Sequence, residues 1–187
     1  LIGSAIVGDV GVPEDPTRPE DVEAARQYTF DVSARSAWKH NFWSDPLLKG
    51  HYPEGLIEAL GENAPPVEDG DMEIIQQPLD FYGLNLYQGA TIRADENGAP
   101  EEVQRPIGYA YTLFHWPVTP DALYWGPKFL YERYGLPILV TENGLSNPDW
   151  VSLDGRVHDP QRIDFTRRYL LAYRRAAADG VALAGYF

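Results

Sequence analysis

One stretch of this 187-residue chain presents a carboxylate where chemistry could use it. In Leu136-Pro-Ile-Leu-Val-Thr-Glu-Asn-Gly144, Glu142 follows directly on an apolar run and precedes a glycine turn. If the run is a buried strand, Glu142 stands at its C-terminal end, the position from which catalytic side chains reach an active-site mouth in β/α folds. Strand-end glutamates are more commonly solvated or salt-bridged, so this geometry alone leaves the structural reading open. Other chemistries find less support. His40, His51, His115 and His158 have no ligand spacing such as His-x-x-x-His, and there is no cysteine, so no metal site, disulfide or thiol nucleophile is expected. Neither a Gly-x-Gly-x-x-Gly nor a phosphate-binding Gly-x-x-x-x-Gly-Lys-Ser/Thr stretch occurs, so no nucleotide cofactor is expected, nor any other.

The elements that must position Glu142 alternate short apolar runs with longer helical patterns, which reads as β/α units around a parallel sheet. Four runs read as strands buried on both faces: Leu1 to Val7, Phe81 to Tyr87, Pro137 to Thr141 and Val181 to Phe187. Asn85 and Tyr87 are two residues apart, so they share a face of the second of these strands. Helix starts are marked by Pro19 with Glu20 and Asp21, ahead of an apolar stripe at Val22, Ala25, Tyr28 and Val32. Pro53 opens a short helix that Gly61 stops. Thr119 can cap a turn begun by Pro120, Pro127 restarts a helix ended by Gly135, and Asp159 caps one with Pro160 first. Gly8 to Arg18, Ala64 to Gly70, Ala90 to Arg105 and Gly144 to His158 read as loops. Asp45 and Asp80 read as structural carboxylates.

The formal net charge of −13 repels phosphate backbones and anionic lipid, so nucleic acid and membrane surfaces are poor partners. No window is apolar enough for a membrane span. The lack of cysteine fits a reducing cytoplasm, the expected location. Twelve Tyr and five Trp suit stacking on the apolar faces of sugar rings, although an ordinary core or surface role is the better account of any single one.

Thr141-Glu142-Asn143-Gly144 after an apolar strand resembles the nucleophile motif of glycoside hydrolase family 1, the β-glucosidase and β-galactosidase family of retaining (β/α)₈ enzymes. The resemblance continues in order along residues 1–187. Pro19-Glu-Asp-Val-Glu-Ala-Ala25 is similar to the helix after the fifth barrel strand, and Phe42-Trp-Ser-Asp-Pro46 with Gly50-His-Tyr-Pro53 to the segment that follows. Asp80-Phe-Tyr-Gly-Leu-Asn-Leu-Tyr87 is similar to the sixth strand. Trp116-Pro-Val-Thr-Pro120 and Arg133-Tyr-Gly-Leu-Pro137 lead to the nucleophile motif. Asp154-Gly155, Asp159, Arg162-Ile163 and Asp179-Gly-Val-Ala-Leu-Ala-Gly-Tyr-Phe187 match the approach to the eighth strand. Phe42-Trp43 stands where the family reads Trp-Phe, and both residues are expected to pack.

The resemblance implies an α/β, (β/α)₈ TIM-barrel domain of which residues 1–187 supply about the last four β/α units. It implies a retaining hydrolase of small β-glycosides. In that role Glu142 is the nucleophile, Tyr87 the tyrosine that contacts it, Asn85 a neighbour of the sugar and Trp116 a wall on the leaving-group side. The family's acid/base glutamate is expected before Leu1 and a sugar-binding tail after Phe187. The missing N-terminal half and tail are therefore expected partners of the open strand edges, and the isolated fragment is expected to be inactive. Two alternatives remain: a non-catalytic sugar-binding or structural relative, and a galactoside, fucoside or 6-phosphoglycoside substrate.

Overall fold

The computed structural model describes residues 1–33 and 35–187. In chain order the strands are β1 (Ile6–Val7), β2 (Gly11–Pro13), β3 (Tyr82–Asn85), β4 (Ala90–Ala94), β5 (Pro100–Glu102), β6 (Ile138–Glu142) and β7 (Leu183–Tyr186). The helices are α1 (Pro19–Thr29), α2 (His40–Lys49), α3 (Leu56–Leu60), α4 (Asp71–Ile75), α5 (Ala122–Tyr134) and α6 (Pro160–Ala178).

The main sheet has the order β1-β3-β6-β7, and every neighbouring pair is parallel. This is the arrangement expected for consecutive β/α units with crossovers of one hand. Ile6, Leu84, Ile138 and Val140 turn towards the helices and join Phe129, Leu130, Phe165 and Tyr169 in one core. At Gly83 a Cβ would lie 1.7 Å from the Ser4 carbonyl oxygen, so only glycine lets β3 come this close to the segment before β1.

Burial on both faces holds for Tyr82 to Leu84 of β3 and fails elsewhere. Val7 is 45% exposed, Glu142 is exposed, and no residue of β7 is buried. The helices cover one face of the sheet, so along β6 burial alternates from Ile138 to Val140 while Leu139 and Thr141 stay half-buried. The first strand is also shorter than expected: residues 1–5 contribute only an isolated parallel bridge from Gly3 to Phe81.

Helix starts and stops follow local chemistry, with four departures, one being that Pro53 stands three residues ahead of α3, which starts at Leu56. Pro19 and Pro160 open α1 and α6, and Gly135 ends α5 in the left-handed region at φ 71°. Pro127 lies inside a continuous α5 instead of restarting it; both it and Gly126 are buried, so packing offsets the lost backbone hydrogen bond. Asp159 adopts φ 49° and makes no capping bond; one of its carboxylate oxygens accepts from Arg162 instead. Thr119 likewise caps nothing with its side chain; its hydroxyl donates to the Gly89 carbonyl at 3.2 Å.

Two stretches read as loops together form a second sheet of order β2-β4-β5, in which β2 pairs parallel with β4 and β4 antiparallel with β5. Asp95 closes the β4–β5 hairpin by accepting the Asn97 and Ala99 N–H groups at 2.8 Å, and Gly98 takes φ 81°. Asp21 is fully buried and accepts the Ala94 N–H at 3.0 Å, which fastens α1 to this sheet. Phe42 packs with Leu56 and Leu60 as expected, whereas Trp43 is half exposed, its indole N–H donating to the Ala37 carbonyl at 3.0 Å.

Candidate active site

Glu142 is the last residue of β6, and the local register sets its direction. Along the β3–β6 ladder the partner of Leu84 is Val140, but the partner of Asn85 is Glu142, so Thr141 is an extra residue. Such a bulge re-aims the side chain that follows it. Thr141 uses its hydroxyl to donate to Asn85 Oδ1 at 2.6 Å, and the Glu142 carbonyl accepts the Leu86 N–H at 2.9 Å. Asn143 then donates its side-chain amide to the Leu86 carbonyl at 2.7 Å and accepts the Tyr186 hydroxyl at 2.9 Å. The bulge is thereby tied to both neighbouring strands.

Two residues beyond β3, the Tyr87 hydroxyl donates to Glu142 Oε2. Burial, and then the bond to this carboxylate, push the Tyr87 phenol up to about 12. Tyr87 therefore remains a protonated donor to Glu142 throughout the neutral range. Its ring lies 5.3 Å from that of Trp116 at 45°, and Phe114 flanks Trp116 on its other side at 5.4 Å. Trp116 is presented by a tight turn in which the Thr112 N–H donates to the Trp116 carbonyl at 2.8 Å and His115 adopts φ 58°. A positive φ at a non-glycine residue beside a cleft aromatic is local strain spent on orientation.

Asn85, Tyr87 and Trp116 line one cleft of about 420 Å³. Glu142 is not part of its wall and joins the group through the Tyr87 hydroxyl. Sequence reasoning missed Asp9, Tyr28, Trp38, Glu102 and Arg105, which line the same cleft. Tyr28 had been legible as part of the α1 stripe. Arg105 lay in an apparent loop, although Asn97-Gly98 between Ala90–Ala94 and Pro100–Glu102 is a hairpin signal that could have placed it. Lys39 adjoins Tyr28 and Asp9: its ammonium donates to the Tyr28 carbonyl at 2.8 Å, stands 3.6 Å from Asp9 and lies over the Tyr28 ring.

Asp45 and Asp80 lie away from Glu142. Asp45 is buried against Arg133, Tyr134 and Lys49, while Asp80 accepts the Ile2 N–H at 2.7 Å. Among the described residues no three His, Asp or Glu side chains are grouped to hold a metal, and no helix is long and apolar enough to cross a membrane. What the site offers is an exposed carboxylate with a phenol donor, beside a cleft walled by aromatic rings.

Comparison with known proteins agrees with this geometry. The chain is 35% identical over 172 residues to a 1,4-β-D-glucan glucohydrolase of Thermotoga neapolitana, covering 91% of this chain and 39% of that protein. It is 35% identical over 175 residues to β-glucosidase A of Thermotoga maritima, covering 91% and 37%. In three dimensions it superposes on the family 1 β-glucosidase from Thermotoga maritima in complex with isofagomine lactam with a TM-score of 0.76 at 32% identity, over 99% of this chain and 40% of that one. Such structural neighbours are (β/α)₈ barrels. The chain thus spans about two fifths of the length of the relatives it matches. The sequence profile of glycosyl hydrolase family 1 matches residues 1–187, and the chain belongs to that family.

Proposed function

We propose that residues 1–187 form the last four β/α units of a single (β/α)₈ domain, and that the assembled domain is a retaining β-glucosidase-type hydrolase with Glu142 as its nucleophile. The observation that carries the reading is the hydrogen bond from Tyr87 to Glu142 at the C-terminal end of a parallel strand. A phenol that stays protonated donates to the carboxylate and orients it, which an attacking carboxylate requires. The names of the relatives, among them β-glucosidases and a glucan glucohydrolase, favour a β-glucoside as substrate.

In the proposed reaction a Glu142 oxygen bonds to the anomeric carbon as the bond to the aglycone oxygen breaks, and that oxygen takes a proton from a second carboxylic acid. In retaining enzymes the two carboxyl groups stand about 5 to 5.5 Å apart. The family resemblance assigns the second to a Thr-x-Asn-Glu-Pro stretch preceding the segment that begins at Leu1. Water, deprotonated by that same group, then attacks the glycosyl ester from the opposite face and frees Glu142. Asn85 and Trp116 bind substrate in this reading, the indole stacking on a sugar or aryl aglycone beside Tyr87. The exposed inner face of the main sheet and its open edges at β1 and β7 fit completion by further polypeptide. The fragment alone is then inactive.

The test is made in the complete barrel. An aryl 2-fluoro-β-glucoside with a good leaving group should esterify Glu142. Glu142→Ala should be inactive until azide is added, and the product should then be the α-glucosyl azide. Labelling at another carboxylate, or an active Glu142→Ala protein without azide, overturns the assignment.

A further inference from the structure

Tyr169 lies in the middle of α6, fully buried, with its ring stacked on Phe165 at 4.0 Å. Its hydroxyl has two partners, both on segments that carry the candidate site. It donates to the Tyr87 carbonyl at 2.9 Å and accepts the Thr119 N–H at 2.9 Å. Thr119 ends the stretch that begins at Trp116, and its own hydroxyl donates to the Gly89 carbonyl at 3.2 Å. Arg105 donates to that same Gly89 carbonyl. At Gly89 a Cβ would stand 2.9 Å from Ala122 Cβ, so the stretch after Tyr87 has no room to shift towards α5. Residues 87–89 are therefore fixed by donors on every polar contact they make with α6, residue 119 and residue 105.

We infer that Tyr169 is a positioning residue for the nucleophile: its buried hydroxyl sets the backbone of Tyr87, and through it the phenol that donates to Glu142, while holding the Trp116 stretch alongside. The inference rests on the reading of Glu142 as nucleophile. Burial favours a neutral Tyr169, raising its pKa, so its proton stays available to the Tyr87 carbonyl. A purely structural role would look different, and the same helix provides the comparison. One turn further on, the buried Tyr173 hydroxyl also bonds main-chain carbonyls, at Ile138 (2.8 Å) and Gly185 (3.0 Å), but it meets β6 at the end away from Glu142 and makes no bond to the Tyr87 segment.

The experiment measures, in the complete barrel, the rate at which a 2-fluoro aryl β-glucoside esterifies Glu142. The proteins are Tyr169→Phe, Tyr173→Phe, Tyr87→Phe and the Tyr87→Phe/Tyr169→Phe double variant, each held below its melting transition. Both single changes on α6 keep their rings and should lower the melting midpoint by similar amounts. Only Tyr169→Phe should slow esterification, by about threefold to tenfold, as expected from one lost hydrogen bond. In the Tyr87→Phe background the same change should cost less than about twofold, because its effect passes through the phenol. Equal losses in both backgrounds, or a loss in Tyr173→Phe matching that in Tyr169→Phe, would overturn the inference while leaving Glu142 as nucleophile. Ester formation at a different carboxylate would remove both.

Discussion

Among the described residues three carboxylates, Asp45, Glu142 and Asp179, accept a hydrogen bond from a tyrosine, and the surroundings of the first two could hardly differ more. Asp45 on α2 is 1% exposed; it accepts Tyr134 at 2.7 Å and Arg133 through two nitrogens at 2.6 and 3.3 Å, with Lys49 at 3.5 Å. Glu142 is exposed and is met by Tyr87. A carboxylate offers about four lone-pair positions, and both Asp45 oxygens accept hydrogen bonds, from Arg133 and Tyr134, with the Lys49 charge alongside. Asp45 is therefore buried and locked by these bonds between α2 and α5. Glu142 keeps accepting capacity on the side away from Tyr87. What sets Glu142, the proposed nucleophile, apart from the structural Asp45 is incomplete satisfaction at an exposed strand end.

The largest difference between the regions should appear on removing each carboxylate from the complete protein. Glu142→Ala should lower glucosidase activity by at least about a thousandfold and leave the melting midpoint close to wild type. Asp45→Ala should do the reverse, costing about 3 kcal/mol in chemical denaturation because Arg133 is left beside an empty position. This is the low end for a broken buried pair, since Arg133 and Lys49 keep some contact with water. The rate per folded molecule should not change. If Asp45→Ala slowed the folded enzyme as much as Glu142→Ala, the contrast would collapse.

The tyrosines sharpen it. Tyr87→Phe removes a donor to a charged group, worth about 1.5 to 3 kcal/mol, and should lower the rate roughly tenfold to hundredfold. Tyr134→Phe should lower stability by about 1.5 kcal/mol and leave the rate unchanged. Steady-state kinetics beside urea melts on the two variants separate these outcomes.

The smallest effect concerns pH and the buried cluster that adjoins Asp45. His40 is fully buried, 3.1 Å from the Tyr82 hydroxyl, which also meets Ser44 at 2.8 Å; Tyr82 in turn stacks on Tyr134 at 5.6 Å. Burial, together with the neighbouring Lys39 charge, lowers the His40 pKa to about 4. The unfolded chain thus binds a proton that the folded one refuses as pH falls from 6.5 towards 4. Folding stability should decline through that window, by about 1 to 2 kcal/mol between pH 7 and pH 5. His40→Asn should flatten the slope. An unchanged slope would mean that other groups carry the acid sensitivity.

How far the site was legible follows from how local each signal was. An apolar run ending in Thr-Glu-Asn-Gly marks a strand, its end and a carboxylate within nine residues, and β6 ends at Glu142. Pro160 and Gly135 act on their own backbone torsions, so they mark helix ends whatever surrounds them. The spacing of Asn85 and Tyr87 placed both on one cleft because side chains alternate along an extended chain. Family resemblance, a property of the whole pattern, supplied the roles that geometry left open.

Other features depended on contacts between distant segments, which no local window contains. The extra residue at Thr141 exists only against the β3 ladder, and it is what aims Glu142. The second sheet needs Gly11–Pro13 to meet Ala90–Ala94, some eighty residues later, and strands so short have little propensity of their own. Pro127 stays within α5 because packing outweighs a preference worth a few kcal/mol at most, and Asp159 meets Arg162 instead of capping α6. The sequence by itself determined which residue types stood at the ends of which elements, since backbone sterics and apolar periodicity act within a few residues. Only the tertiary structure decided which further residues meet: Thr141 with Asn85 across 56 positions, and Tyr169 with Tyr87 across 82.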